Sequence, residues 1–120
     1  MTKILKTKYD LEERTARFGE AIIEFCRKLS QDSVSRPVIS QLGRSATSIG
    51  ANYMEANSAS SKKDFRNKIY TCKKEAQETM HWLRMLAKCF SNKKEEIRKF
   101  WQEAKELMLI FGKIISSLNK

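Results

Sequence analysis

Gln41-Leu-Gly-Arg-Ser-Ala-Thr-Ser-Ile-Gly-Ala-Asn-Tyr-Met-Glu-Ala-Asn57 is a quiet stretch in a chain that is lysine-rich nearly everywhere else. Its only charges are Arg44 and Glu55. Between them lie Ser45, Ala46, Thr47, Ser48, Gly50 and Ala51, side chains small enough to let another backbone approach closely. A helix that is small and mostly uncharged all round packs on more than one side. The stretch therefore predicts a central helix gripped by its neighbours, with two charges that need partners.

On either side of it, apolar or small residues recur at alternating steps of three and four. The first segment gives Leu11, Thr15, Phe18, Ile22, Phe25 and Leu29, and the second Ile39, Leu42, Ala46, Ile49, Tyr53 and Ala56. The third gives Phe65, Ile69, Cys72, Ala76, Thr79, Leu83, Leu86 and Phe90. The fourth gives Ile97, Phe100, Ala104, Leu107, Phe111, Ile114 and Leu118. Strands alternate every second residue and no segment does, so the period is helical, with the near-heptad spacing of bundle packing. Asp10-Leu-Glu-Glu13, Ser61-Lys-Lys-Asp64 and Asn92-Lys-Lys-Glu95 read as helix starts with a capping residue and an acid three positions later. Pro37 suits a first helical turn, where its missing N–H is harmless. Short connections make consecutive helices antiparallel neighbours. The expected fold is all-α: one domain over residues 1–120, an up-down-up-down four-helix bundle with helices at about 10–30, 37–57, 61–90 and 93–118.

That topology assigns partners to the two charges. Arg44 and Glu55 share a helix face but stand about 16 Å apart along the axis, too far to pair with each other. Folding the neighbours back predicts a polar layer inside or at the edge of the bundle, made by Arg14 with Glu55 and by Arg44 with Glu75 or Glu78. Breaking a buried pair of this kind costs about 3–5 kcal/mol.

The net charge of +10 points towards polyanions such as RNA or DNA, against the plain alternative that it serves solubility. Three cysteines without Cys-x-x-Cys spacing fit free thiols in a reducing cytoplasm. No signal peptide is evident, and no run of about 18 apolar residues suggests a membrane span. A single histidine, His81, rules out a His cluster, and neither a P-loop nor a dinucleotide fingerprint occurs. Glu75 and Glu78 have ligand spacing but lack the Glu-x-x-His repeat of bundle metal sites. The expectation is no enzyme, no metal and no cofactor.

Two surfaces carry functional hints. Lys62, Arg66, Lys73, Arg84 and Lys88 fall on one side of the third helix, with Lys63 and Tyr70 beside them. Such a stripe can track a phosphate backbone, with Tyr70 available for stacking; the alternative is a solvated lysine-rich face. The fourth helix mixes signs, as an ordinary solvated face does. Trp82 and Met85 lie outside the main seam of the third helix, while Trp101, Met108 and Ile115 recur at seven-residue intervals on the fourth. These suggest an interface between protomers, against a broad bundle core.

Asp10-Leu-Glu-Glu-Arg-Thr15, followed by Phe18, resembles the opening of the four-helix bundle proteins encoded in intervening sequences of bacterial 23S ribosomal RNA genes. Gln41–Ala56, Ser61-Lys-Lys-Asp-Phe65, Lys74-Glu-Ala-Gln-Glu-Thr-Met-His-Trp-Leu83 and Glu103-Ala-Lys-Glu-Leu107 resemble further signatures of that family. Gly43 and His81 depart from its pattern. The resemblance implies a left-handed bundle that assembles as a ring, a homopentamer. It also implies kinship with accessory proteins of diversity-generating retroelements, basic barrels that bind nucleic acids and a reverse transcriptase. It supplies no catalytic residues. The combined expectation is a non-enzymatic homo-oligomer that binds nucleic acid, structured RNA above all. The alternative is a scaffold ring for a polymerase or another mobile-element protein.

Overall fold

The computed structural model describes residues 2–119, with side chains described for 11–119. Four helices follow one another: α1 (Thr2–Arg27), α2 (Ser35–Asn57), α3 (Lys62–Cys89) and α4 (Lys94–Leu118), with a 3-10 turn at Ser91–Lys93. At about 1.5 Å per residue these helices approach the 46 Å long axis of the molecule, so they run along it.

Facing positions show the directions. Gly19 lies against Thr47, and Gly50 against Thr15. Arg44 reaches Glu78, while Glu55 reaches Lys68. Numbers rise in one helix as they fall in the next, so each pair is antiparallel and the chain folds as an up-down four-helix bundle. Each helix packs extensively on its sequence neighbour, whereas α1 and α4 touch sparsely. The bundle is thus tight on three seams and open on the fourth.

The periodic residues form the core. Ile22, Leu42, Ile49, Ile69, Leu83, Leu107 and Phe111 are all fully buried. Phe25 and Phe18 pack on Phe100 with ring centroids 5.2 and 6.4 Å apart, which ties α1 to α4 across the open seam. Tyr53 meets Phe111 at 6.2 Å across the core. Such tilted pairs suit the aromatic quadrupole.

The helix starts follow the expected chemistry in part. At α3, Ser61 Oγ accepts from the Asp64 N–H at 3.0 Å, and Asp64 reaches back to the Ser60 N–H at 3.4 Å. At α2, Pro37 sits in the first turn, but the cap is made by Asp32: its carboxylate accepts from the Val34 and Ser35 N–H groups, and Ser35 Oγ accepts from the Asp32 N–H. These bonds, Ser35's foremost, hold the Asp32 carboxyl below its ordinary range. Two expected starts are corrected. Backbone helix runs from Thr2, so Asp10, whose side chain is outside the described residues, lies within α1 rather than at its cap. Asn92-Lys-Lys-Glu95 forms no capping box, because the 3-10 turn uses the Lys93 N–H to bond the Phe90 carbonyl, and Lys93 precedes α4 without a side-chain cap.

The interior polar contact differs from the expected ionic layer. Among the described residues the buried polar side chains are Thr15, Ser35, Ser45 and Thr79. Ser45 and Thr79 share a hydrogen bond of 2.9 Å between α2 and α3, and Thr79 also donates to the Glu75 carbonyl at 2.8 Å. Small hydroxyls therefore join α2 and α3 where the quiet stretch allows close approach. The ion pairs lie at the rim.

Candidate nucleic-acid interface

Charges of opposite sign are sorted by the bundle. Arg44 on α2 meets Glu78 at 2.8 Å and Glu75 at 3.7 Å, which draws both acids of central α3 towards α2. Glu75 is the more buried of the two, and one of its carboxylate oxygens has no hydrogen-bond partner. Burial, and then the neighbouring Glu78 charge, raise the Glu75 carboxyl above its ordinary range.

The Arg14–Glu55 pair does not form. Arg14 instead donates two 2.7 Å bonds to Glu103 and one of 3.1 Å to Glu106, both on α4. The Glu103 bonds hold the guanidinium protonated still more firmly than usual. The cause is rotational. Thr15 and Gly19 face α2, while Arg14 lies one turn before Phe18, on the side that packs against Phe100 of α4. Glu55 is 54% exposed and pairs with Lys68 at 2.7 Å.

With those acids turned aside, the basic stripe of α3 is left apart from them, while Lys68 of the same helix faces α2 and pairs with Glu55. Lys62, Lys63, Arg84 and Lys88 are exposed, and Tyr70 is 47% exposed. Arg66 and Lys73 are half-buried: Arg66 reaches Asn119 at 3.5 Å, and the Lys73 stem lies near Gly112 of α4. Among the described residues none of these cations is in a salt bridge.

The outer face of α4 does carry mixed signs, with Glu95, Glu96 and Lys99 exposed, but its two edges differ. Glu103 and Glu106 turn towards α1, whereas Lys94, Arg98 and Trp101 line a groove with α3. Its walls also include Leu83, Arg84, Ala87 and Gln102; it measures ≈ 510 Å³ and has no acidic lining residue. The linear order of charges on α4 does not single out Lys94, Arg98 and Gln102, which the fold brings to this groove. Projected at about 100° per residue, Lys94, Arg98 and Lys105 fall together, away from Glu103.

The apolar residues expected at an interface between protomers are buried to different degrees. Ile115 is 6% exposed and belongs to the core, while Trp82, Trp101 and Met108 are part-buried against it. Met85 is half-buried. Helix α4 turns Ile115 inward and leaves Ile114 part-exposed, so the seam is rotated by one residue at its end. Of the exposed aliphatic residues, Val34 and Leu109 stand singly, whereas Ile23 (43%) and Met54 (57%) together line a groove between α1 and α2 floored by small residues.

Among the described residues no group of three or more His, Cys, Asp or Glu side chains is placed to hold a metal ion, and no helix is long and apolar enough to cross a membrane. Cys26 and Cys72 are buried, which pushes their thiols up to about 11 and about 12. These are packing residues rather than nucleophiles at neutral pH.

No functionally curated protein matches the chain. The sequence pattern of the 23S rRNA-intervening sequence proteins matches residues 7–113. A crystal structure of a protein of unknown function, from the S23 ribosomal protein family of Bacteroides thetaiotaomicron VPI-5482, is similar with a TM-score of 0.79 and 30% identity, covering 88% of this chain and 97% of that one. With four packed helices and a match over most of its length, the chain belongs to the family of 23S rRNA-intervening sequence proteins.

Proposed function

We propose that this protein is a non-enzymatic homo-oligomer that binds nucleic acid, structured RNA in particular, through the α3 surface and the flank of α4 beside it. The observation that carries the reading is the sorting of charge. Glu75 and Glu78 are drawn to Arg44, and Glu103 and Glu106 to Arg14. Lys62, Lys63, Arg66, Lys73, Arg84 and Lys88 of α3 are left without carboxylate partners among the described residues, while Lys68 alone of that helix pairs with Glu55. A patch of this kind is satisfied by phosphates, whose bound counterions it releases. The family's association with 23S rRNA genes is consistent with an RNA ligand, by genomic placement rather than by chemistry.

The test is a salt titration of RNA binding. Affinity should be measurable at about 50 mM salt and fall steeply with rising salt. Reversing Lys62, Lys63 and Lys88 to Glu, all exposed positions, should weaken binding by at least about tenfold and flatten the logarithmic salt slope by roughly 2–3. Absence of binding at low salt, or binding indifferent to salt, overturns the reading.

The exposed groove with Ile23 and Met54 supports the assembly part of the proposal and is the surface we favour for it over the part-buried tryptophan-rich one. The same groove favours the second reading, a scaffold for a protein partner. Recovery of one partner protein after nuclease treatment, without intrinsic RNA affinity, would select that reading.

A further inference from the structure

The groove between α3 and α4 brings together two features that a phosphate-tracking surface alone does not need. Trp101 offers a part-buried indole, and Arg84, Lys94 and Arg98 stand around it. None of the three cations is in a salt bridge among the described residues. Lys105 adds a fourth cation, its Nζ 5.5 Å from the centroid of the Trp101 ring. The ≈ 510 Å³ opening falls within the roughly 300–1,000 Å³ of small-molecule sites.

The other two openings are chemically different. The one between α1 and α4 (≈ 630 Å³) sets its cations beside Glu13 and Glu103, so they are already neutralised in part. The one between α1 and α2 (≈ 310 Å³) is apolar and flanked by Glu12 and Glu20. Only the α3/α4 groove, of the three, joins an aromatic wall to unopposed positive charge.

A ligand that complements it is flat, aromatic and anionic at once, and a nucleotide is all three. Base–aromatic stacking tolerates any base, because each has a π-face. We propose that the α3/α4 groove holds one unpaired nucleotide of a nucleic-acid strand, its base against Trp101 and its phosphate on Arg84, Lys94 and Arg98. The proposal rests on the reading of α3 as a phosphate-binding surface and deepens it. The α3 surface follows the backbone, and the groove takes a nucleotide that stacking does not already occupy. In a duplex both faces of each internal base are covered, so the site discriminates against fully paired strands.

Trp101 reports its own occupancy. In a Trp82→Phe background it is the sole indole, since the chain has two tryptophans. The intact protein is titrated at low salt with a single-stranded oligoribonucleotide of about 10 nucleotides and with a blunt duplex of equal length. The single strand should quench Trp101 fluorescence and the duplex should not. In the otherwise native chain, Trp101→Leu should weaken single-strand binding roughly 5- to 100-fold while changing duplex binding less than about twofold. Arg98→Gln, which keeps the indole, should also weaken the single strand more than the duplex, and it decides the matter if Trp101→Leu does not fold. If RNA binds with no change in Trp101 emission, or the variants affect both ligands equally, the groove is not the site while the α3 reading stands. If neither ligand binds, both fall.

Discussion

Arg44 and Glu75 show how one contact can be made and still leave a cost. The Arg44 guanidinium is committed to Glu78 at 2.8 Å and stands 3.7 Å from Glu75, beyond hydrogen-bond reach of its buried oxygen. Glu75 therefore carries a raised carboxyl in the folded protein. The sign follows from linkage: between the unfolded value near 4.5 and the raised native value, the folded state binds more protons, so stability falls as pH rises through that window. Glu75→Gln removes the titrating group. Thermal unfolding should show the variant matching the native protein at pH 4 and exceeding it at pH 7. A variant destabilised at pH 7 but not at pH 4 would mean that the Arg44 contact outweighs the desolvation. The Arg44–Glu78 pair was legible in the sequence because a short connection fixes the register of α2 on α3. Arg14 was not, because a residue between two neighbouring helices can turn to either, and a few tens of degrees of rotation decide. Since both pairs sit at the rim, each contributes nearer 0–1 kcal/mol than the value for a buried ion pair.

At the scale of elements, two glycines let α1 and α2 approach closely. A methyl group at Gly50 would stand 3.4 Å from the Thr15 carbonyl carbon and hydroxyl, and one at Gly19 would stand 3.5 Å from the Thr47 Cα. Backbone lies opposite each, so a side chain longer than a methyl must turn out into the α1/α2 groove or push the helices apart. Gly50→Ala should be nearly neutral, its small crowding offset by the better helix propensity of alanine. Gly50→Leu should cost about 1–3 kcal/mol by forcing the helices apart, readable as a loss in denaturant midpoint with helical content retained. An unchanged midpoint would mean that the seam is looser than these distances. The small residues of the quiet stretch announced this packing, and the three-four periodicity announced all four helices. The start of α1 was hidden, since Asp10 looks like a cap yet lies inside a helix that continues beyond it. The sorting of charge on α4 was equally hidden in linear order. Glu103 and Glu106 alternate with basic residues along the chain but are separated from Lys94 and Arg98 around the helix axis, and only the position of Arg14 shows where they point.

For the whole molecule, the proposed function couples assembly to binding by geometry. A single bundle offers one α3 surface, and a modest set of phosphate contacts on it is weak at physiological salt. Repeating that surface around an oligomer makes later contacts intramolecular and can raise avidity by about 10²–10⁴ without any new side chain. The assembly surface proposed for this is the α1/α2 groove, where Ile23 and Met54 are exposed above Ala16, Gly19, Gly50 and Ala51. It lies on helices other than α3 and α4, so it can be disrupted without touching the basic residues. In sedimentation velocity the native protein should run as a multiple of the chain mass, and the double variant Ile23→Lys, Met54→Lys as a monomer with unchanged thermal unfolding. Although that variant gains positive charge, it should bind long RNA about 100-fold more weakly, because the loss of multivalency exceeds what two added cations contribute. A native monomer, or a variant that still assembles, removes the groove from the interface. A monomeric variant with undiminished RNA affinity would instead show that one bundle suffices for binding, and that the oligomer serves another end.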